Sequence, residues 1–280
     1  MSRLEPVSKD GGLDTSSHQQ FVDYYAKESL SESTRRRFEA IQTRVLALAG
    51  PTTRPLNVLD IGCGAGAQCA LWAASGHHVF GIDINAPLIE VARKRAQESG
   101  IAARFDVGSA TDLPFETASM DVCLIPELLE HVPEWQPCLA EAVRVLRPGG
   151  ILFLSTTNFL CPVQNEYRLP LYSWYPGFAK RYFEKRAVTS WPAIANYARY
   201  PAVHWFSYYQ LARFLTAKGM RCHDRFAVMD AGTGSGIRRA IVGLLRHSSL
   251  LRLLGQICST GSVVFAVKSG SPGPAQGASA

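Results

Sequence analysis

The chain has 280 residues, 47% of them hydrophobic and 19% charged, with a formal net charge of +6. That is enough apolar sequence for one domain of generous size, and no apolar run is long enough to cross a bilayer as a helix. The positive balance fits an anionic partner, either nucleic acid or a membrane surface, without choosing between them.

Residues 1–17 read as a loose polar tail, and the opening MSRLEPVSKDGG has no apolar signal-peptide core, so a cytoplasmic protein is expected. From His18 to Ala49 the pattern is helical, with Phe38, Ile41, Val45 and Leu48 at three- and four-residue steps. Arg35–Arg37 is either the solvated face of that helix or a phosphate contact. A regular alternation follows from Leu56. Val58–Ile61 is a strand, Ala67–Ala74 a helix, and His78–Ile82 a strand ending at Asp83. Pro87–Ser99 is a helix with proline in its first turn, and Ala103–Val107 and Met120–Ile125 are strands. Gln136–Leu146 is a helix stopped by Arg147-Pro148-Gly149-Gly150, before a fifth strand at Ile151–Ser155. Alternation of this kind predicts an α/β fold, a parallel sheet with helices on both faces and ligands beyond the carboxyl ends of its strands.

The second half is less regular. Tyr208–Lys218 is a helix capped by Ser207 and stopped at Gly219, and Met220–Val228 and Ser262–Lys268 are strands. Two inserts interrupt them, at 158–206 and 232–259, and 269–280 is a disordered tail by composition. The seven cysteines, at 63, 69, 123, 138, 161, 222 and 258, are odd in number and never spaced C-x-x-C. Free thiols are expected, rather than a zinc site or a disulfide framework.

The chemistry gathers at successive strand ends. Val58 to Gly66 reads VLDIGCGAG, a strand that places Asp60 near its end and then breaks at Gly62, Gly64 and Gly66. Glycines at alternate positions let the backbone approach a ligand, and the next helix offers that ligand its positive N-terminus. Strand two ends in Asp83, a carboxylate able to accept from both hydroxyls of a ribose. Gly108 to Phe115 can enclose a flat ring, and strand four runs into Glu127-Leu128-Leu129-Glu130-His131-Val132.

With DIGCGAG, GIDI, the LPF loop, LLEHV and LRPGG in this order, the segment from Leu56 to Asn158 resembles the class I S-adenosylmethionine (SAM)-dependent methyltransferases. Within them it is most similar to the type 11 methyltransferases and the ubiquinone-pathway O-methyltransferases. The resemblance implies a Rossmann-like sheet of seven strands in the order 3-2-1-4-5-7-6, with Ser262–Lys268 as the antiparallel strand. It implies SAM as cofactor. Asp60 would hold the methionine amino group, directly or through water, and Gly62, Gly64 and Gly66 would give the backbone room. Asp83 would grip the ribose, Ser109 and Ala110 would flank the adenine, and Ile125 would pack beside the sulfonium. Ser109 stands where many relatives have an acidic residue, so it offers the adenine amino group a weaker acceptor. A nicotinamide-dependent dehydrogenase would also use the glycines and Asp83, but Asp60 would repel its pyrophosphate, whereas SAM is cationic there.

The resemblance implies methyl transfer to a small acceptor, lipophilic or aromatic, most simply to oxygen. The alternatives are an enzyme acting on RNA or protein and a SAM-binding module without turnover. His131 is the candidate general base by its titration range, or it orients its loop by hydrogen bonding. In the ubiquinone-pathway enzymes the residues placed like Glu127, Glu130 and His131 are associated with a divalent metal. Here Glu130 would point about a hundred degrees away from the other two on a helix, and no metal is assigned. Ile125-Pro126-Glu127-Leu128 replaces the Asp/Asn-Pro-Pro-aromatic turn of enzymes that methylate base amines, so nucleic acid is not the expected partner.

The first insert holds 13 of the chain's 28 aromatic residues in 49 positions, where even spreading gives about 5. It reads as a cover over an aromatic or lipid-like substrate, as a stacking platform or membrane-interface element, or as a small satellite core. Ile237–Ile257 carries four arginines, no acids and leucines at helical spacing. Such a segment lies on an anionic membrane or packs on the domain or on a second subunit. Gly232 to Gly236 reads as a hinge.

Overall fold

The computed structural model describes residues 19–164, 167–195, 202, 204–229 and 236–270. The expected tail at 1–17, all but the first two residues of the expected tail at 269–280, and all but the last residue of the expected hinge lie outside the described residues.

Strand–helix alternation runs as read. After α1 (Gln19–Glu28) and α2 (Glu32–Ala49) come β1 (Asn57–Ile61), α3 (Ala67–Ala74), β2 (His78–Asp83), α4 (Ala86–Glu98) and β3 (Ala103–Val107). Then follow β4 (Met120–Pro126), α5 (Trp135–Val145), β5 (Leu146–Thr157), α6 (Gly177–Val188), α7 (Tyr208–Ala217), β6 (Met220–Asp224), α8 (Gly236–His247), α9 (Ser249–Ile257) and β7 (Gly261–Lys268). The sheet order is β3-β2-β1-β4-β5-β7-β6, the expected one. Strands β1 to β5 pair in parallel, and β7 runs antiparallel between β5 and β6.

The sheet is buried on both faces because its strands are apolar on both. Leu59, Ile61, Ile125, Leu152 and Leu154 pack under α5 and α7, and Val58, Val122, Leu124 and Phe153 pack under α2 and α3 with the fully buried Trp72. Burial of this kind contributes about 25 cal/mol per Å² of apolar surface and is the main force on the fold.

Four boundaries differ from the sequence reading. Strand β5 begins at Leu146, five residues before the expected Ile151, because Leu146 pairs with Met120. The helical stretch at the start of the chain is two helices, because the Ser31 hydroxyl accepts from Thr34 N at 3.2 Å and caps α2 anew. Strand β6 stops at Asp224, four residues early. There the buried Asp224 carboxylate accepts from Ala227 N at 2.8 Å and pairs with Arg252 at 2.7 Å, which forces a turn. The basic insert is two helices, since Ser248 caps α9 by accepting from Leu251 N at 3.3 Å. Arg252 thus pins α9 to β6, and Asn158 Nδ2 donates to the carbonyls of Gln256 and Ser259, both at 2.7 Å. All seven cysteines are free thiols. No described helix is long and apolar enough to cross a membrane.

The aromatic insert has a core of its own. Tyr167 and Tyr172, with ring centroids 4.2 Å apart, pack with Ala187 and Ile194 in its buried centre. Lys180 Nζ lies 4.7 Å from the Trp205 ring centroid, a cation–π contact that ties α6 to the chain entering α7. Trp174, Phe178, Tyr182 and Trp191 stay exposed. The aromatics of this insert therefore divide between a satellite core and an open apolar surface.

Candidate active site

The turn after β1 hangs on the end of β2. Gly62 N and Cys63 N both donate to Ile82 O, at 2.8 and 3.1 Å, and Gly64 N donates to Asp83 Oδ2 at 2.9 Å. Gly66 opens α3 in the left-handed region, at φ 79°. A Cβ there would stand 2.9 Å from Ala92 Cβ and 3.0 Å from the Phe105 ring. Only glycine therefore allows α4 and β3 to press against the turn. Helix α1 closes the turn from outside. Val22 packs on Ala65 and Leu88, and the Arg95 guanidinium donates to Ala26 O at 2.9 Å and to Ser29 Oγ at 3.0 Å.

Asp60 is buried beneath this turn. Its Oδ2 accepts from Cys69 Sγ at 3.5 Å, and its Oδ1 has no hydrogen-bond partner. Burial pushes its pKa up to about 7, with the nearby charge of Asp83 adding to the rise and the Cys69 contact opposing it. Asp83 is committed through both oxygens, since Oδ1 also accepts from Asn85 N at 2.8 Å. Each oxygen keeps a further lone pair for a ligand hydroxyl. Burial raises the Asp83 pKa, and the two backbone donors counter it.

Two residues here escape sequence reading. Gln68, in the first turn of α3, is buried with neither end of its amide satisfied, and Asn85 caps α4 through Oδ1 while its Nδ2 finds no partner. Orphaned amide and carboxylate atoms of this kind cost about 1–3 kcal/mol each and mark places where a polar ligand completes the set. The only signals in the sequence are a glutamine inside an apolar helix and an asparagine before Ala-Pro.

On the adenine side, Ala110 packs against the core, and the Ser109 hydroxyl closes its own loop. Ser109 Oγ lies 2.8 Å from Thr111 Oγ1 and accepts from Thr111 N at 3.2 Å, so this hydroxyl is already engaged. Ile125 departs from its expected place beside the sulfonium. It has no exposed surface and belongs to the core under α5, because alternation along β4 turns it inward. The exposed position at that end is Glu127, held at φ 51° with its N–H donating to Ser155 O at 2.8 Å. A left-handed glutamate costs about 1–2 kcal/mol, and such strain collects at ligand sites.

The 3-10 turn Leu129–His131 follows. Glu130 turns into the core and accepts from Thr156 Oγ1 at 2.7 Å. The His131 residue is exposed, and neither ring nitrogen hydrogen-bonds to a described residue. The protein around it disfavours the imidazolium and pushes its pKa down to about 4; water reaching the exposed residue moderates that fall. Glu127, Glu130 and His131 do not converge, and among the described residues no three such side chains gather as a metal site.

A cavity of about 380 Å³ opens on the same edge of the sheet, beside Glu127. Its floor includes Ser155 and Thr157 of β5, and its wall includes Arg37 and Arg44 of α2 and Arg225 after β6. Arg35 and Arg36 are on the solvated face, paired with Glu32 and Glu39, so the run Arg35–Arg37 divides between solvent and cavity.

Comparison with known proteins agrees with this geometry. The methyltransferase-domain family matches residues 59–154. The ubiquinone biosynthesis O-methyltransferase of Xanthomonas euvesicatoria pv. vesicatoria is 41% identical over 123 residues, 44% of this chain and 49% of the relative. The chain thus spans about half the length of the curated relatives it matches. The YcgJ protein of Bacillus subtilis has a similar fold at 19% identity, with a TM-score of 0.55 over 84% of this chain and 99% of that one. So does the phosphoethanolamine N-methyltransferase 2 of Haemonchus contortus, solved with SAM, at 16% identity and a TM-score of 0.52 over 89% and 60%. Residues 59–154 thus match a methyltransferase domain, carried on a sheet of the order that the sequence resemblance implies.

Proposed function

We propose that the protein is a SAM-dependent methyltransferase acting on an oxygen of a small acceptor with an aromatic or apolar body. The observation that carries this reading is Asp60 Oδ1, a buried carboxylate oxygen without a partner beneath a glycine turn. A cationic ammonium is the group that completes it, and a pyrophosphate is the group it repels. Gln68 and Asn85, with unsatisfied amide atoms, fit a polar cofactor in the same region. The curated relatives named as O-methyltransferases support the choice of oxygen.

SAM, when bound, supplies an electrophilic methyl carbon and a neutral sulfide leaving group. Asp60 would hold the ammonium and Asp83 would accept from the ribose hydroxyls. Leu128, 2.9 Å from where a Gly62 Cβ would stand, packs against the turn and excludes water there. His131, neutral at physiological pH, takes the proton that the acceptor hydroxyl loses as its oxygen bonds to the methyl carbon. Alignment and desolvation account for the rest of the acceleration.

His131→Gln is expected to lower kcat by about 10²–10⁴-fold with SAM affinity unchanged. Because the folded environment lowers the imidazole pKa, the acid limb of the wild-type rate lies below the ordinary histidine value of about 6.5. Unchanged turnover in the variant, or a rate limb near 6.5, removes His131 as the base. Methyl-labelled SAM incubated with protein and cell extract tests the substrate class. Label in the small-molecule fraction supports the proposal, and label in the acid precipitate replaces it with a protein or RNA substrate.

Peripheral contact with an anionic bilayer is part of the same reading. Leu244, Leu250 and Leu254 are exposed on α8 and α9, Arg239 is exposed beside them, and 236–257 contains no acid. Arg252 is spent on Asp224 and takes no part. Co-sedimentation with vesicles rich in phosphatidylserine should be lost in Leu250→Glu/Leu254→Glu. A wild-type protein that never sediments with them rules the contact out.

A further inference from the structure

The cavity beside Glu127 has a charge pattern that the methyl-transfer reading leaves unexplained. On α2, Arg37, Ala40, Ile41 and Arg44 stand at i, i+3, i+4 and i+7, so both guanidinium groups face one way. On β5, Ser155 and Thr157 alternate toward the same space. Arg225 comes from the turn after β6, its chain fixed by a bond from the guanidinium to Gly261 O. Three arginines therefore meet one carboxylate, Glu127, in a space of about 380 Å³.

Several other cations near the surface find partners, although exposed Arg213 and Arg221 have none among the described residues. Arg54 and Arg147 share Asp121, Arg144 pairs with Glu141, and Arg252 pairs with Asp224. Arg37 and Arg44 have no hydrogen bond or ion pair with any described residue; Arg37 only rests on the Phe38 ring. Arg225 Nε is buried and has no partner. Burial and then the charge of Arg44 push the Arg225 pKa down, against the opposing charges of Glu127 and Asp224. A second cavity of about 310 Å³ shares Arg44 and Arg225 with the first, so the pair stands where two spaces meet.

We propose that Arg37, Arg44 and Arg225 form an anion subsite that holds a carboxylate or phosphate group of the methyl acceptor. This rests on the methyl-transfer reading, and it narrows the acceptor to a small organic anion. Guanidinium forks match both groups geometrically, which isolated lysines would not. Ser155 supplies a hydroxyl donor at the floor, while the Thr157 hydroxyl is spent donating to His204 O at 3.0 Å. Glu127, strained at the cavity rim, lies between this subsite and the turn that carries His131. The subsite sets which molecules enter, and the reacting hydroxyl lies at the far end of the acceptor from its charge.

Calorimetric titration with benzoate, phenyl phosphate and neutral phenol tests it on the whole chain. One or both anions should bind at least tenfold tighter than phenol, and the tighter of the two identifies the group the acceptor carries. Arg44→Gln and Arg37→Gln/Arg44→Gln should lose at least tenfold in that affinity with SAM binding intact. Both positions are exposed and form no ion pair among the described residues, so these variants test the subsite even where Arg225→Gln fails to fold. Phenol binding as tightly as both anions, or anion affinity unaltered in the double variant, overturns the subsite. A protein that discriminates anions but binds no SAM keeps the subsite and loses the methyl-transfer reading; one that binds SAM without discriminating loses only the subsite.

Discussion

Asp60→Asn is expected to raise the melting temperature of the ligand-free protein at pH 8 and to weaken SAM binding by about 10–100-fold. The two effects have one cause. Burial raises the Asp60 pKa from 3.8 to about 7, so between those values the native carboxyl holds a proton that the unfolded chain has released. Stability therefore falls as pH rises through that window, and above it the buried charge costs on the order of 4 kcal/mol. The amide removes that cost. It also removes a charge-assisted bond to the ammonium, worth about 1.5–3 kcal/mol. Calorimetric melts at pH 5.5 and 8 should show the variant's advantage growing with pH. A variant that melts lower and binds SAM as well as the wild type contradicts the role given to Asp60.

Gly66→Val should be the most damaging single change in the glycine turn. At φ 79° a side chain costs about 1–2 kcal/mol, and more for a β-branched one. The methyl groups would also enter space held by Ala92 and the Phe105 ring, adding about 1–3 kcal/mol of overpacking. A total near 3 kcal/mol lowers Tm by roughly 6–12 °C in a domain of this size. Gly64→Ala is the control, since its Cβ would meet nothing within 4 Å and only the backbone cost at φ 50° applies. Equal losses in the two variants would mean that the packing against α4 and β3 is not what fixes the glycine.

The sheet was legible because each strand announces itself by apolar content and ends in a residue that chemistry explains: Asp60 and the glycines, Asp83, the loop after Val107, Glu127. Strand order then followed from the resemblance these motifs carry. What escaped depends on contacts between distant parts of the chain. Val228 looks like strand, yet β6 ends at Asp224 because Arg252 reaches it from α9. Ile125 looked like a wall of the cofactor site, but the pleat of β4 turns it into the core. Arg35 to Arg37 formed one run in the sequence, and only the helix phase against β5 separates Arg37 from its neighbours. Arg44 and Arg225 meet because β7 lies between β5 and β6, a juxtaposition no local pattern encodes. Ser109 carried a resemblance-based role, and the bond its hydroxyl makes with Thr111 had no signal in the sequence.

The most direct measurement is a calorimetric titration of SAM into the wild-type chain at pH 7, in two buffers of different ionisation heat. Saturable binding with proton release is predicted, because the ammonium draws the Asp60 carboxyl, poised near 7, into its charged form. The absence of binding, or binding with no buffer dependence, would contradict the assignment of the glycine turn and Asp60 as the cofactor site.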